Sequence, residues 1–285
     1  MSSNIYAAHS NTNFPSIESY LPDMMNFVSA LAQDYQFGAI NCWQIMEEKV
    51  HTFFSLDRLD KVNAVAPGWR DMASYADGTT LVHVMSVFTA LVLCPEFQQA
   101  SKTQQELLKW IVFFHDIAKE IQQGRRDFTH GFRSAAMAGE FLPGIGFAIT
   151  SEYNYLIGDW VALVNAAMTK QDKTLVSIQD NRRLPEIVNG IERLFGHNTP
   201  AALIVRTVLM HMSIDVIEDW PQAAPLSETE IREYLDFELI PLLRVMMLVD
   251  NDGWALFDQS TKERYRQETL RAFRRLENIA AAFSR

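Results

Sequence analysis

The sequence predicts an all-α fold built as a single globular helical domain. Apolar residues recur at spacings of three and four along most of the 285 residues, and no segment of any length alternates polar and apolar residues as a strand would. Hydrophobic residues make up 48% of the chain against only 12 glycines and 10 prolines, which is typical of a helical protein with a sizeable core. We predict a flexible tail over residues 1–15 and one all-helical domain over residues 16–285.

The N-terminal part of the chain predicts two amphipathic helices, over residues 16–35 and 37–59. The first carries apolar residues at helical spacing, namely Leu21, Met24, Met25, Phe27, Val28 and Leu31. Residues 64–78 break this periodicity and are predicted to be a connection. Residues 80–93 are apolar almost all round except at His83, so we predict that they form a buried helix.

Capping patterns predict where several later helices begin. The patterns are Thr103 with Glu106, Thr129 alone, Thr199 with Pro200, Ser227 with Glu230, and Ser260 with Glu263. The remaining segments are predicted as a loop over 143–150, helices over 152–168, 185–195 and 201–217, and an exposed polar excursion over 169–183. The pattern at Ser227 predicts a long helix that contains Asp250, and the pattern at Ser260 predicts an arginine-rich closing helix.

The composition limits the class of protein. A net charge of −10 disfavours a general nucleic-acid binder, which usually carries a basic face. Cys42 and Cys94 both lie in apolar helical contexts, which favours free thiols in a reducing cytoplasm over a disulfide framework. No apolar run reaches the length of a membrane span, and the N-terminal residues do not resemble a leader. We therefore predict a cytoplasmic protein without a membrane partner, and leave open whether it forms a homo-oligomer.

The most informative stretch is residues 110–119, WIVFFHDIAK, where His115 and Asp116 interrupt an apolar run. A buried carboxylate costs several kcal/mol unless it finds a proton, a cation or a metal ion. An imidazole beside it is a second metal ligand, so the pair indicates a metal site. The alternative is a core histidine bonded to a carbonyl, with Asp116 reaching solvent, and this stretch alone favours neither.

Other apolar segments carry polar residues that a core would not otherwise accept. His83 and His211 lie in two of them, His130 lies in the first turn of a helix, and Asp250 follows a nearly unbroken apolar run. Because the chain has only seven histidines, four in such positions favour a shared site. Imidazole and carboxylate suit Mn, Fe and Zn, and six such ligands around one bridging carboxylate suit a two-metal site.

The order histidine, His-Asp doublet, histidine, histidine, aspartate resembles the binuclear members of the HD-domain superfamily of metal-dependent phosphohydrolases. The doublet in HDIAK is the most specific part of the resemblance, which covers residues 79–253. It implies an HD-type helical domain with its ligand core there, and we expect helices from residues 16–60 and 260–285 to pack on that core.

The resemblance also implies a division of the metal ligands. His83, His115, Asp116 and Asp250 would hold one ion, and Asp116 would bridge to a second ion held by His130 and His211. A long insertion separates His130 from His211, and His197 is an alternative to His211 that we interpret as a surface histidine. The chain lacks the Gly-Tyr-Pro triad of the cyclic-dinucleotide branch, so that substrate is not implied.

By this resemblance we expect a phosphohydrolase or phosphodiesterase that uses one or two divalent ions, Mn, Fe, Mg, Zn or Ni, to activate a hydroxide. The substrate would be a small phosphorylated compound or a nucleotide. Asp116 and Lys119 are the predicted catalytic residues, because Lys119 lies one helical turn after Asp116 where its ammonium could meet a phosphate oxygen. Arg125, Arg126 and Arg133 are further candidates for phosphate contacts or are solvated surface charges.

Two other functions fit the same ligands. A di-iron HD-type oxygenase would cleave a carbon-carbon or carbon-phosphorus bond with O₂, and a non-catalytic HD module would act in signalling. The complete ligand set disfavours the non-catalytic module. Metal content, colour and oxygen consumption separate the hydrolase from the oxygenase.

Overall fold

The computed structural model describes residues 14–72, 74–75, 78–120, 126–170 and 177–281. These residues form 14 α-helices and four strands of two or three residues. The strands form two isolated antiparallel pairs, so the prediction of an all-α fold is confirmed. Residues 1–13 of the predicted tail lie outside the described residues, and the domain boundaries stay a prediction.

The helices are numbered in chain order. They are α1 (Ile17–Tyr20), α2 (Pro22–Gln36), α3 (Trp43–Phe53), α4 (Leu56–Val65), α5 (Thr80–Leu93), α6 (Pro95–Gln99), α7 (Lys102–Phe114), α8 (His130–Ile145), α9 (Tyr153–Ala166), α10 (Leu184–Phe195), α11 (Pro200–Met210), α12 (Glu228–Tyr234), α13 (Leu239–Trp254) and α14 (Gln259–Ala281). The strands are β1 (Ser74–Tyr75), β2 (Gly78–Thr79), β3 (Met168–Lys170) and β4 (Ser177–Gln179).

The core lies around helices α5, α7, α11 and α13. Helix α7 contacts the other three, α13 packs along α5, and α11 packs along α8. Every residue of α5 from Thr80 to Leu91 is buried, as expected of a helix that is apolar on all sides. Helices α2 and α3 cover α5, and α14 covers α13. The central helices are therefore enclosed, and a polar side chain on any of them needs a partner inside the protein.

Helices α5 and α13 approach closely at Gly253. A Cβ atom at this position would lie 2.7 Å from Val87 Cγ2 and 3.1 Å from the Val87 backbone nitrogen. The Ser86 hydroxyl joins the same two helices, since it donates to the carbonyl of His83 at 2.7 Å and to that of Gly253 at 3.2 Å. This contact brings the His83 side of α5 against the Asp250 side of α13.

The two predicted N-terminal helices are each divided in the structure. The first ends at Tyr20 and begins again at Pro22, because proline favours the first position of a helix. The second begins only at Trp43, since Gly38 adopts a positive φ of 75° that ends α2, and it is interrupted again before Leu56. The prediction that both segments are helical is confirmed, but the prediction that each is one continuous helix is wrong.

Three of the predicted caps differ from the structure. The capping box before α7 is formed by Ser101 and Gln104, whereas the predicted Glu106 carboxylate accepts from Lys109 at 2.7 Å. The predicted cap Thr129 precedes α8 without a side-chain capping bond. The closing helix begins at Gln259, and the Asp258 carboxylate, not Ser260, accepts from the Thr261 N–H at 3.1 Å.

Two predicted caps are confirmed. Thr199 accepts from Ala202 at the start of α11. Ser227 and Glu230 form a capping box, although it begins the short α12 and not the long helix that contains Asp250. That helix, α13, begins separately at Leu239.

Other boundaries also moved. Helix α8 continues through Pro143 to Ile145, where a loop was predicted, and α11 ends at Met210, so residues 211–217 are not helical. The excursion predicted over 169–183 includes β4 and all of β3 except Met168, and its Gln179 is buried, so the prediction that this segment is exposed is wrong at that residue. Among the described residues, no helix combines the length and the apolar character that crossing a membrane requires.

We expect Gly253→Ala to destabilise the protein by about 2 kcal/mol, because the added methyl group overpacks the contact with Val87. Gly158→Ala is the matched control, since a Cβ atom there meets nothing within 4 Å. Alanine in the middle of α9 should stabilise the helix by up to about 1 kcal/mol. Denaturant midpoints measure both changes, and equal midpoints for the two variants would contradict the close helix contact.

Candidate metal centre

Six ionisable side chains from five parts of the fold meet inside the core. His83 comes from α5, His115 and Asp116 from the end of α7, His130 from the start of α8, His211 from the end of α11, and Asp250 from α13. Five of the six side chains are buried, and Asp250 is half-buried. We call this set the His/Asp cluster.

The cluster consists of two adjacent groups of three side chains. The first group is His83, His115 and Asp250, and the second group is Asp116, His130 and His211. In each group, one potential ligand atom from every residue lies within 4.8 Å of the other two. The structure therefore brings together all six residues that were predicted from the sequence as metal ligands.

The first group is centred on a carboxylate oxygen. His83 Nε2 lies 2.9 Å from Asp250 Oδ1, and His115 Nε2 lies 3.8 Å from the same oxygen. Asp116 Oδ2 faces this group, at 3.5 Å from His83 Nε2 and 3.7 Å from His115 Nε2. Two ligands that each lie about 2.1 Å from one metal ion are about 3 to 3.5 Å apart, so these spacings are close to those of a coordination shell.

The second group receives the other oxygen of Asp116. Asp116 Oδ1 lies 2.9 Å from His130 Nε2, which in turn lies 3.0 Å from His211 Nε2. Asp116 thus presents one carboxylate oxygen to each group, which is the arrangement that a bridging ligand requires.

Backbone carbonyls orient three of the four histidine rings. The Nδ1 atoms of His115, His130 and His211 lie 2.7, 2.6 and 2.6 Å from the carbonyl oxygens of the residues three positions earlier, which are Val112, Asp127 and Val208. Because a carbonyl can only accept, each Nδ1 donates a proton to it, and Nε2 is the nitrogen that a neutral ring would offer to a metal ion. The three Nε2 atoms therefore face the cluster as potential metal ligands.

His83 is held in a different way. Its ring stacks on Trp254, with the centroids 4.2 Å apart and the planes 27° apart. Its Nδ1 atom has no hydrogen-bond partner among the described residues. Trp254 was not predicted as a site residue, although its position four residues after Asp250 places both on one face of α13.

Two buried polar atoms in the cluster test whether it suits a metal ion. His115 Nε2 is buried and makes no hydrogen bond, and Asp116 Oδ1 is buried against His130 Nε2 at 2.9 Å, a contact that is a hydrogen bond only when that nitrogen carries a proton. Leaving such atoms unpaired costs about 1 to 3 kcal/mol each. A cation between the two groups would satisfy both atoms, so the donor set fits a divalent ion.

The carboxylates of the cluster are ionised. Burial opposes the charge of Asp116, but Lys119, followed by His115 and His130, outweighs it and holds the pKa well below its usual range. Burial likewise opposes the charge of Asp250, and the hydrogen bond to His83 overcomes it, so the pKa of Asp250 is also lowered.

His115 and His211, at the C-terminal ends of α7 and α11, are neutral at ordinary pH. Burial, reinforced by His130 and His115, lowers the pKa of His211 to about 3. Burial also lowers the pKa of His115, although Asp116 and Asp250 act in the opposite direction. Neutral imidazole and ionised carboxylate are the forms that bind metal ions.

Lys119 was predicted to contact the substrate, and in the structure it also contacts the cluster directly. Its Nζ atom is 2.6 Å from Asp116 Oδ2 and 5.3 Å from the centroid of the Trp254 ring, and the residue is 8% exposed. One ammonium against two carboxylates leaves the cluster with a net negative charge. This imbalance attracts a further cation.

The three arginines predicted as phosphate contacts lie in different places. Arg126 lines the cleft described below, and Arg125 lies outside the described residues. Arg133 is absent from that lining and binds elsewhere: its guanidinium donates to Asp127, to Thr129 Oγ1 at 2.7 Å and to the Ala118 carbonyl at 3.1 Å.

Asp127 organises the segment between the His-Asp doublet and His130, and was not predicted. Its carboxylate accepts from the backbone N–H of Glu120 at 2.9 Å and of Thr129 at 3.2 Å, and from Arg133. Its backbone carbonyl accepts a hydrogen bond from His130 Nδ1 at 2.6 Å. The one sequence signal for Asp127 is its position three residues before His130.

A cleft of about 220 Å³ opens beside the cluster. Lys119, His130 and Asp250 line its buried part, and Trp220 and Asp258 are exposed residues of the same lining. The cleft therefore reaches the side of the cluster formed by Lys119, His130 and Asp250.

His197, the sequence alternative to His211, is exposed and pairs with Glu192 at 2.8 Å, so it lies outside the cluster.

Comparison of this chain with models of protein families, with curated proteins and with solved structures found no match. The fold and the site define an all-helical protein with a buried histidine and aspartate cluster whose composition suits a metal ion. Membership of the HD-domain superfamily stays a prediction.

We expect the metal-free protein to lose stability as the pH falls from 7 to 5. Because the pKa of folded His211 is about 3, only the unfolded chain binds this proton over that range, and unfolding becomes easier. The slope has an upper limit of about 1.4 kcal/mol per pH unit for each such histidine. His211→Gln should reduce the slope, and the exposed control His197→Gln should not. Denaturation in a chelator measures it, and a flat profile would contradict the assignment.

Proposed function

We propose that this protein is a metal-dependent phosphohydrolase that acts on a small phosphorylated compound. The observation that supports this function most is the position of Asp116, which offers one oxygen to His83 and His115 and the other to His130. A carboxylate shared between two groups of histidine ligands is the arrangement expected of a two-metal hydrolytic site.

The donor set favours some metals over others. Four imidazoles and two carboxylates suit Mn, Fe, Zn or Ni better than Mg, which prefers oxygen ligands. The first group would hold one ion and the second group another, with Asp116 between them. When bound, such ions supply the Lewis acidity and the low-pKa water that phosphate ester hydrolysis needs.

Lys119 and Arg126 supply the protein's own positive charge beside the cluster. Both line the cleft, and Lys119 is buried against Asp116. An anionic substrate meets a chain of net charge −10, so it needs a local cationic site that distant surface acids, screened over about 8 to 10 Å, do not cancel. We propose that Lys119 binds a phosphate oxygen and stabilises the charge that develops there.

Arg133 has an indirect role in this proposal. Its bonds to Asp127 and Thr129 hold the segment whose carbonyl orients His130. We therefore propose it as a positioning residue. Its side chain need not touch the substrate for its loss to impair the site.

The test is release of inorganic phosphate from a panel of aryl phosphates and nucleotides by protein stripped of metal and reloaded with Mn, Fe(II), Zn or Ni. Asp116→Ala should abolish activity and lower the bound metal, because it removes the shared ligand. Lys119→Ala should lower kcat/KM by about 10- to 1000-fold while the metal stays bound. Lys119→Arg should recover only part of the activity. Lys102→Ala, an exposed lysine at the start of α7, is the control.

Two results would contradict this proposal. Equal metal loss in Asp116→Ala and Lys119→Ala would show that the roles of these residues are wrongly divided. Turnover that requires O₂, measured by repeating the assay under argon, would indicate the di-iron oxygenase that shares this ligand set.

A further inference from the structure

We infer that the cleft selects phosphate monoesters whose leaving group is a planar ring without negative charge, bound beside Trp220 with the phosphate at the Lys119 end. This inference rests on the proposed function and names the substrate class of the same site. Three features of the cleft support the inference. They are the exposed Trp220 ring that Arg126 contacts, two further aromatic rings in the lining, and the different charges at the inner and outer ends.

Trp220 is an exposed aromatic ring that Arg126 contacts at both its ring and its backbone. It is 50% exposed and lies in the segment between α11 and α12. The Arg126 guanidinium lies 5.5 Å from the centroid of its ring and donates to its backbone carbonyl at 3.1 Å. A large apolar ring that faces a cavity, and is held by a cation–π contact, provides a preformed surface for a ligand.

Two more rings line the same cleft from other helices. Trp254 comes from α13 and is fixed by its stack on His83, and Tyr265 comes from α14. The buried side chains of Met212 and Ile217 add apolar surface. Aromatic and apolar groups that line a small cleft favour a flat, apolar partner, because such a partner buries area on both of its faces.

The charge along the cleft gives the ligand a direction. Lys119 is buried beside the cluster, whereas Asp258 is exposed. Hydrogen bonds from Thr261 lower the pKa of Asp258 to about 2, so its carboxylate is charged at neutral pH. Once divalent ions offset the carboxylates of the cluster, a phosphate would be attracted to the inner end beside Lys119, and a negatively charged ring substituent near Asp258 would be repelled.

The experiment compares paired ligands on the metal-loaded protein. Hydrolysis of phenyl phosphate and ethyl phosphate is measured as kcat/KM, and binding of phenylphosphonate and methylphosphonate is measured by calorimetry without oxygen. We expect the phenyl compounds to be preferred, and Trp220→Ala to reduce that preference by about 5- to 100-fold, the range expected on losing one aromatic stack. Trp220→Phe should keep most of it. Tyr155→Ala removes an aromatic ring that is 84% exposed on α9, outside the cleft lining, and is the matched control.

A second pair tests the charge gradient. Phenyl phosphate should be preferred to 4-carboxyphenyl phosphate, and Asp258→Asn should reduce this preference by about 2- to 5-fold, as expected for a solvent-screened charge. Asparagine can still cap α14, so this variant keeps the helix start.

The outcomes separate this inference from the proposed function. Binding that favours phenylphosphonate and depends on Trp220, without hydrolysis of either ester, would support the cleft assignment and contradict the hydrolase. Phenoxide leaves more readily than ethoxide, so the diagnostic quantity is the change in the phenyl-to-ethyl ratio of kcat/KM. A ratio that Trp220→Ala leaves unchanged, together with equal binding of the two phosphonates, would overturn the cleft assignment and leave the hydrolase standing.

Discussion

Burial of two carboxylates among four imidazoles is the constraint on which the rest of this structure depends. Removing a carboxylate from water is favourable only if cations and hydrogen bonds replace the lost solvent. Lys119 supplies one positive charge, with its Nζ atom 2.6 Å from Asp116 Oδ2. The two carboxylates carry two negative charges, so one negative charge remains uncompensated. The buried His115 Nε2 and Asp116 Oδ1 atoms mark where a further cation would be bound. Metal binding would thus complete the charge balance of the core and also supply the reactive centre.

The helical core provides the precision that such a site needs. His115 and His211 follow the last residues of α7 and α11, where a carbonyl three residues earlier is free to orient the ring. The first group depends instead on the close approach of α5 and α13 at Gly253, which brings His83 within 2.9 Å of Asp250. A helix crossing therefore positions His83 and Asp250, and the ends of α7 and α11 position His115 and His211.

The sequence predicted the fold class and the six members of the cluster because both leave strong local signals. A polar residue in a helix that is apolar all round, such as His83, has few reasons to be there. Helix ends were predicted less well. Ser101 and Thr103 both begin a capping pattern in the sequence, and in the structure Ser101 forms the box with Gln104 while Glu106 binds Lys109. Asp127 was missed because its role arises from contacts made after folding.

Diffraction from crystals loaded with manganese or zinc, with the anomalous signal recorded at the metal edge, tests the central claim most directly. We expect two peaks about 3.5 to 4 Å apart. One should lie within bonding distance of His83, His115 and Asp250, and the other near His130 and His211, with Asp116 touching both. Crystals that contain metal but show no anomalous peak within the cluster would contradict the account.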